Sequence, residues 1–211
     1  MTSSRGILEE LDTTGLDTVL SEAACLGATV DTRAKLLHLE VEAQTLPEPG
    51  GILPTADPLT GHTRIRLTFE GVTRVAASLR SQRWNDLGPR VLPLELSGLG
   101  EAITSFGGGR LHGWEFIDID DSGWALWSEL LSFDTVIDDR RNARHVLEFS
   151  QEEGVDPREL DVRVWFDTVE AHLTDGRTVP LSELVSAARR WWAAHDAGDP
   201  RALHPGITPA L

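Results

Sequence analysis

The sequence has no tyrosine, one cysteine, one methionine and two asparagines among 211 residues, and Lys35 is its only lysine. A single cysteine excludes an intrachain disulfide framework and makes a reducing cytoplasm the expected compartment. No apolar run approaches the ~20 residues of a membrane-crossing helix, so no membrane span is expected. The stretch EAAC at 22–25 has the form of a lipoprotein cleavage box. The segment before it carries Glu9, Glu10, Asp12 and Asp17 and no apolar core, so a leader is not expected. Cys25 instead reads as a small buried apolar residue.

Positive charge is also scarce: 19 Lys and Arg stand against 34 Asp and Glu, a formal charge of −15. Nucleic-acid binding draws affinity from phosphates neutralised by cations, and an anionic membrane surface selects the same charge, so neither partner is expected. A basic protein partner fits. Apart from Lys35 the cations are all arginine, a bias that goes with the shortage of Lys, Asn and Tyr and matches a GC-rich genome.

Period-two alternation is plentiful. Leu37, Leu39 and Val41 oppose His38, Glu40 and Glu42; Ile65, Leu67 and Phe69 oppose Arg64, Arg66, Thr68 and Glu70. Val162, Val164 and Phe166 oppose Asp161, Arg163, Trp165 and Asp167. Each reads as a half-buried strand of an antiparallel sheet with one polar face. Glu70–Gly71 and Asp167–Thr168 stand where tight hairpin turns are expected. The clearest helix follows Pro180, with Leu181, Leu184, Val185, Ala188 and Trp192 in helical period, and it ends at Gly198 before Pro200. Further helices are predicted up to Gly27, from Ser122 through Leu131, and, more weakly, in SGLGEAITSF before the glycines at 107–109.

The order of these patterns looks like one plan used twice. A helix end, a strand, a polar turn and a strand occur in 20–43 and again in 127–152. A strand turning after a Phe occurs in 64–79 and 161–174, and Pro-Leu before a helix in 91–103 and 178–190. The fold class expected is α+β, with antiparallel sheets, a few helices and two similar halves in a pseudo-twofold arrangement. Residues 1–113 form the first half and 114–211 the second, packed as one unit. The Pro/Gly-rich stretch 44–63 is an insertion in the first half and reads as a mobile loop.

Residues 118–129 resemble a calcium-binding EF-hand loop: Asp118, Asp120, Ser122, Gly123 and Glu129 fall at the ligand and glycine positions. The segment before it alternates and carries three glycines, which an entering helix would not. The corresponding first-half stretch has Asp12, Thr14 and Gly15 but Ser21 where Glu129 stands. Both stretches fit a helix N-terminus better, where Asp and hydroxyl side chains accept free amide protons. A metal set of Asp118, Asp120, Ser122 and Glu129 is the lesser alternative, and no cofactor is expected.

No catalytic motif is compelling. His112 and Glu115 lie on an expected strand and diverge. FGGGR at 106–110 lacks the spacing and lysine of a phosphate loop. His145 reads as a core residue, His172 as a surface one and His195 as a packing one. Seven tryptophans are present, of which Trp191 and Trp192 are adjacent and read as filling the seam between the halves.

Eight acids and no Lys or Arg lie between Arg110 and Arg140, together with Trp114, Trp124 and Trp127. The expected function is therefore that of an acidic binding protein without catalysis of its own, in the class of inhibitor or immunity proteins that cover a basic partner. Its candidate contact residues are Trp114, Glu115, Asp118, Asp120, Asp121 and Trp165. The competing expectation is a small hydrolase or metal-dependent enzyme working through 112–121.

Overall fold

The structure is a computed structural model that describes residues 11–54, 62–108, 112–117, 127–153 and 157–202. Among these residues there are three α-helices and eleven strands in two antiparallel sheets, an α+β protein. The strands are β1 (Ala24–Asp31), β2 (Leu36–Gln44), β3 (His62–Glu70), β4 (Arg74–Ser81), β5 (Arg90–Val91), β6 (His112–Ile117), β7 (Phe133–Val136), β8 (His145–Glu153), β9 (Arg158–Phe166), β10 (Thr168–Leu173) and β11 (Thr178–Val179). The helices are α1 (Thr13–Leu20), α2 (Leu99–Ser105) and α3 (Leu181–Asp196).

The first sheet has the order β1-β2-β3-β10-β11; the second has β5-β4-β9-β8-β6, with β7 also on β4. Both sheets therefore combine strands from before and after residue 113. The three alternating segments lie in β2, β3 and β9. Their apolar residues, among them Leu37, Leu39, Val41, Ile65, Leu67, Val162, Val164 and Phe166, join one continuous core with Leu16 and Val19 of α1, Ile103 of α2 and Leu184 and Ala188 of α3.

The expected hairpins at Glu70–Gly71 and Asp167–Thr168 are crossings between the sheets. β3 pairs with β10 and β4 with β9, so each chain leaves one sheet after its Phe and continues in the other. The two crossings touch. Phe69 and Phe166 meet edge to face at 4.9 Å, and the Asp167 amide donates to the Glu70 carbonyl at 2.9 Å. Gly71 takes φ +65, and a Cβ there would come within 2.5 Å of the Asp167 carboxylate. Sequence alternation reports which face of a strand is buried but not which strand lies beside it, so a crossing and a hairpin look alike.

Helix ends follow local chemistry. Asp12 caps α1 by accepting the Gly15 amide at 2.8 Å, the helix start that Asp12, Thr14 and Gly15 suggest. The prediction that this helix reaches Gly27 fails: α1 ends at Leu20 and Glu22 takes a left-handed φ of 60. Residues 24–31 instead pair along β2, which satisfies their backbone and buries Cys25 and Ala28. α2 is preceded by a 3-10 turn at Leu96–Gly98 and followed by Gly107 and Gly108, both at positive φ. α3 starts after Pro180 and is followed by Gly198 at φ 68. The helix predicted from Ser122 begins outside the described residues; Trp127–Ser128 are helical and the chain turns at 129–130, short of Leu131.

Of the stretch 44–63, residues 44–54 and 62–63 are described: Gln44 ends β2, His62 and Thr63 begin β3, and the residues between Leu46 and Leu53 bond to α3. Glu183 accepts the Ile52 amide at 2.8 Å, Leu46 donates to the Ala187 carbonyl at 3.0 Å, and Arg190 holds the Leu46 carbonyl and Glu48 at 2.9 Å each. Leu53 is buried. These polar contacts with α3 are long-range and are not written in the Pro/Gly composition of the stretch.

Candidate functional site

Pairing of β6 with β8 sets Phe116 opposite Leu147 and Glu115 opposite Glu148. That register turns Trp114 and Phe116 toward the core and Glu115 away from it. Trp114 is half-buried and stacks on Phe149 at 5.1 Å, and its indole N–H has no hydrogen-bond partner among the described residues. Glu115 is exposed. Burial, and then the nearby Glu115 carboxylate, raise the pKa of Asp17 on α1 above the ordinary carboxylate range. Asp118, Asp120, Asp121 and Ser122, the remaining acidic contact candidates and most of the metal alternative, lie outside the described residues. Glu129 is exposed.

Two acids of this stretch have counter-charges that the local sequence does not reveal. Arg74 of β4 holds Asp134 through both carboxylate oxygens, one at 2.7 Å. Lys35 pairs with Asp138, whose pKa is lowered first by that hydrogen bond and then by the Arg140 amide. The stretch has no local cation, and at these two positions the counter-charges come from 103 and 60 residues away in sequence.

Trp165 is half-buried, with the Arg74 guanidinium 4.9 Å above its ring. Beside it, Arg163 lies 4.4 Å from the Trp127 ring and pairs with Glu148. The polar side of β4, β8 and β9 thus carries two stacks, Asp134–Arg74–Trp165 and Glu148–Arg163–Trp127. Each joins a carboxylate, a guanidinium and an indole. Arg80 pairs with Asp161 and Glu159 in the same row. Asp161 has a raised pKa because it is buried, a shift opposed by a Ser150 hydrogen bond and the Arg80 charge.

The other sequence candidates are scattered. Cys25 is fully buried, and burial pushes its thiol up to about 12, so it is not a thiolate nucleophile at neutral pH. His195 is buried, stacked on Trp191 at 5.1 Å and set against the edge of Trp192. Trp192 reaches across to donate to the Thr18 carbonyl at 3.3 Å, so the adjacent tryptophans fill the joint between α3 and α1. His172 sits beside Glu170 on the polar side of β10. His145 is half-buried against Phe166 rather than in the core, and it lines a cavity of about 630 Å³ with Asp12, Leu16, Asp167, Ser182 and Val185. No sequence pattern announces that cavity, because its walls come from four separate parts of the chain. Among the described residues no three His, Cys, Asp or Glu side chains are grouped to hold a metal ion, and no helix is long and apolar enough to cross a membrane.

One surface feature escaped the sequence reading. The loop 82–89 between β4 and β5 carries Trp84 at 96% exposure and Leu87 at 109%. The signal was present: a tryptophan and a leucine inside RWNDLGP, a run of turn-forming residues with no strand or helix period to bury them.

Compared with protein-family models, with curated proteins and with solved structures, the chain matches none.

Proposed function

We propose that the chain is a binding protein without catalysis of its own, acting on a protein with a basic face in the manner of an inhibitor or immunity protein. One observation carries this reading. Among the described residues, Lys35 and eleven of the arginines are already ion-paired with carboxylates of the same chain. The charge of −15 is therefore an excess of carboxylates that the chain's own cations do not neutralise. Such a surface repels itself, attracts a basic protein and speeds its approach. The acidic stretch with Glu115, Asp118, Asp120 and Asp121 is the proposed contact, together with Trp114 and Trp165. The lone, buried Cys25 supports a reducing compartment. The test is capture of a partner from cell extract, followed by binding to the wild type and to a variant with Asp118, Asp120 and Asp121 changed to Asn. Weaker binding by the variant, and slower association in added salt, support the reading; equal, salt-independent binding refutes it.

We also infer that the chain is an internal duplication whose halves, 1–113 and 114–211, have exchanged strands. The support is the strand order. The run β2-β3-β10-β11 in one sheet matches β8-β9-β4-β5 in the other when β2, β3, β4 and β5 are set against β8, β9, β10 and β11. The matching crossings meet at Phe69 and Phe166. The edges differ, since β1 flanks β2 whereas β6 flanks β8 and β7 flanks β4. An experimental structure in which these two four-strand runs fail to superpose by a near-twofold rotation refutes the duplication.

A further inference from the structure

The tip of loop 82–89 is held in a fixed shape. The Arg83 amide donates to the Asp86 carboxylate at 2.8 Å, and the Asp86 amide donates to the Arg83 carbonyl at 2.9 Å. At the loop's base the Gln82 amide donates to the Pro157 carbonyl at 3.0 Å. Trp84 and Leu87 are thus presented to solvent from an ordered turn. A large aromatic on an ordered backbone costs less loop ordering on binding, which favours it as an anchor. Directly beside Trp84 is a cleft of about 430 Å³, walled by Pro89 and Pro157. Its rim carries Arg80, Arg83 and Arg158 together with Glu152, Glu153 and Glu159.

This balance of charge decides what can dock here. Two chains of charge −15 repel over most of their surfaces. Around this cleft three arginines and three glutamates balance, with Arg80 paired to Glu159 and Arg158 to Glu153 in the same chain, so the patch meets its own copy without the charge repulsion of the rest of the surface. The protruding indole and the notch beside it lie on one patch, the arrangement a self-complementary twofold contact requires.

We propose that this patch is a twofold interface between two copies of the chain, with Trp84 of each copy seated in the cleft of the other and Leu87 packed at its edge. Arginine and proline walls suit an indole face, by cation–π attraction and apolar contact. The contact is small, so the dimer is a weak one that exchanges with monomer at micromolar concentration. Salt strengthens it by screening the repulsion between two acidic chains, the opposite of its effect on binding to a basic protein.

The experiment is sedimentation velocity on the full chain alone, across a micromolar concentration series at low and high salt. The wild type should show monomer and dimer, with more dimer at high salt. The variant Trp84→Ala/Leu87→Ser changes only exposed side chains and should raise the dimer dissociation constant by at least about tenfold, the loss expected for an interface anchor. Circular dichroism of the variant checks that it is folded. A wild type that stays monomeric throughout overturns the proposal, including one that stays monomeric while floating with phosphatidylcholine vesicles or binding another protein through Trp84. A dimer unchanged in the variant also overturns it. The measurement needs no partner, so it stands or falls apart from the basic-partner reading.

Discussion

The polar faces of the two sheets look alike in sequence and have different surroundings. On the first sheet, Arg64 pairs with Glu42 and Arg66 with Glu40, both with arginine side chains more than half exposed. On the second, Ala76 and Ser78 are fully buried and Asp161 and Arg163 nearly so. The stretch from Trp127 to Val136 accounts for part of that difference. Trp127 lies on Arg163, the Leu130 carbonyl accepts the Ser78 hydroxyl at 2.5 Å, and Ser132 donates to the Leu92 carbonyl at 2.8 Å. The same alternation of Arg and Glu thus makes an open ladder in one place and a covered one in the other. In the open ladder water competes with each pair; in the covered ladder each charge depends on its partner.

The most severe way to break the comparison is to separate the strands that both sheets share. Residues 11–108 and 112–202 expressed as separate fragments should each fail to fold, because neither contains a complete sheet. Co-expressed, they should reassemble with native-like circular dichroism. Next, Asp161→Ala leaves Arg80 nearly buried with Glu159 as its remaining carboxylate, and should cost about 3 kcal/mol in urea denaturation. Asp161→Asn keeps the shape and should cost less. Its cost should also depend on pH. The folded-state pKa of Asp161 is raised, so the stability linked to its proton is present at acid pH and lost as pH rises through the raised value. The Asn variant lacks that dependence, so its deficit should be larger below the ordinary carboxylate range than at neutral pH. Trp127→Ala removes the ring over Arg163 and should cost about 1–2 kcal/mol by the same denaturation. Glu40→Ala in the open ladder should cost less than about 1 kcal/mol, with little further change in salt. A Glu40 effect equal to that of Asp161 would show that the two faces do not differ.

The α+β class was legible because period-two apolar residues and a helical stripe are local signals. Leu37, Leu39 and Val41 in β2, and Leu184, Val185 and Ala188 in α3, are buried as their spacing requires. The crossings at Gly71 and Asp167 were not legible, because a tight turn within a sheet and a step between sheets use the same residues. The counter-charges of Asp134 and Asp138 were hidden because Arg74 and Lys35 arrive from other strands. The stacking of half-buried Trp114 on Phe149 was not legible either, because it depends on the β6–β8 register and not on the acidic neighbours that mark this residue as a contact candidate. Trp84 was the reverse case, a residue with a readable loop context whose full exposure only the folded chain reveals.

The central claim is that the uncompensated acids recruit a basic protein. Immobilised wild-type chain and the Asp118, Asp120 and Asp121 to Asn variant, exposed to the same cell extract at low and at high salt, test it most directly. The account predicts a captured protein with a basic face, retained by the wild type at low salt, reduced on the variant and released as salt rises. Capture that is equal on both chains and indifferent to salt would contradict it.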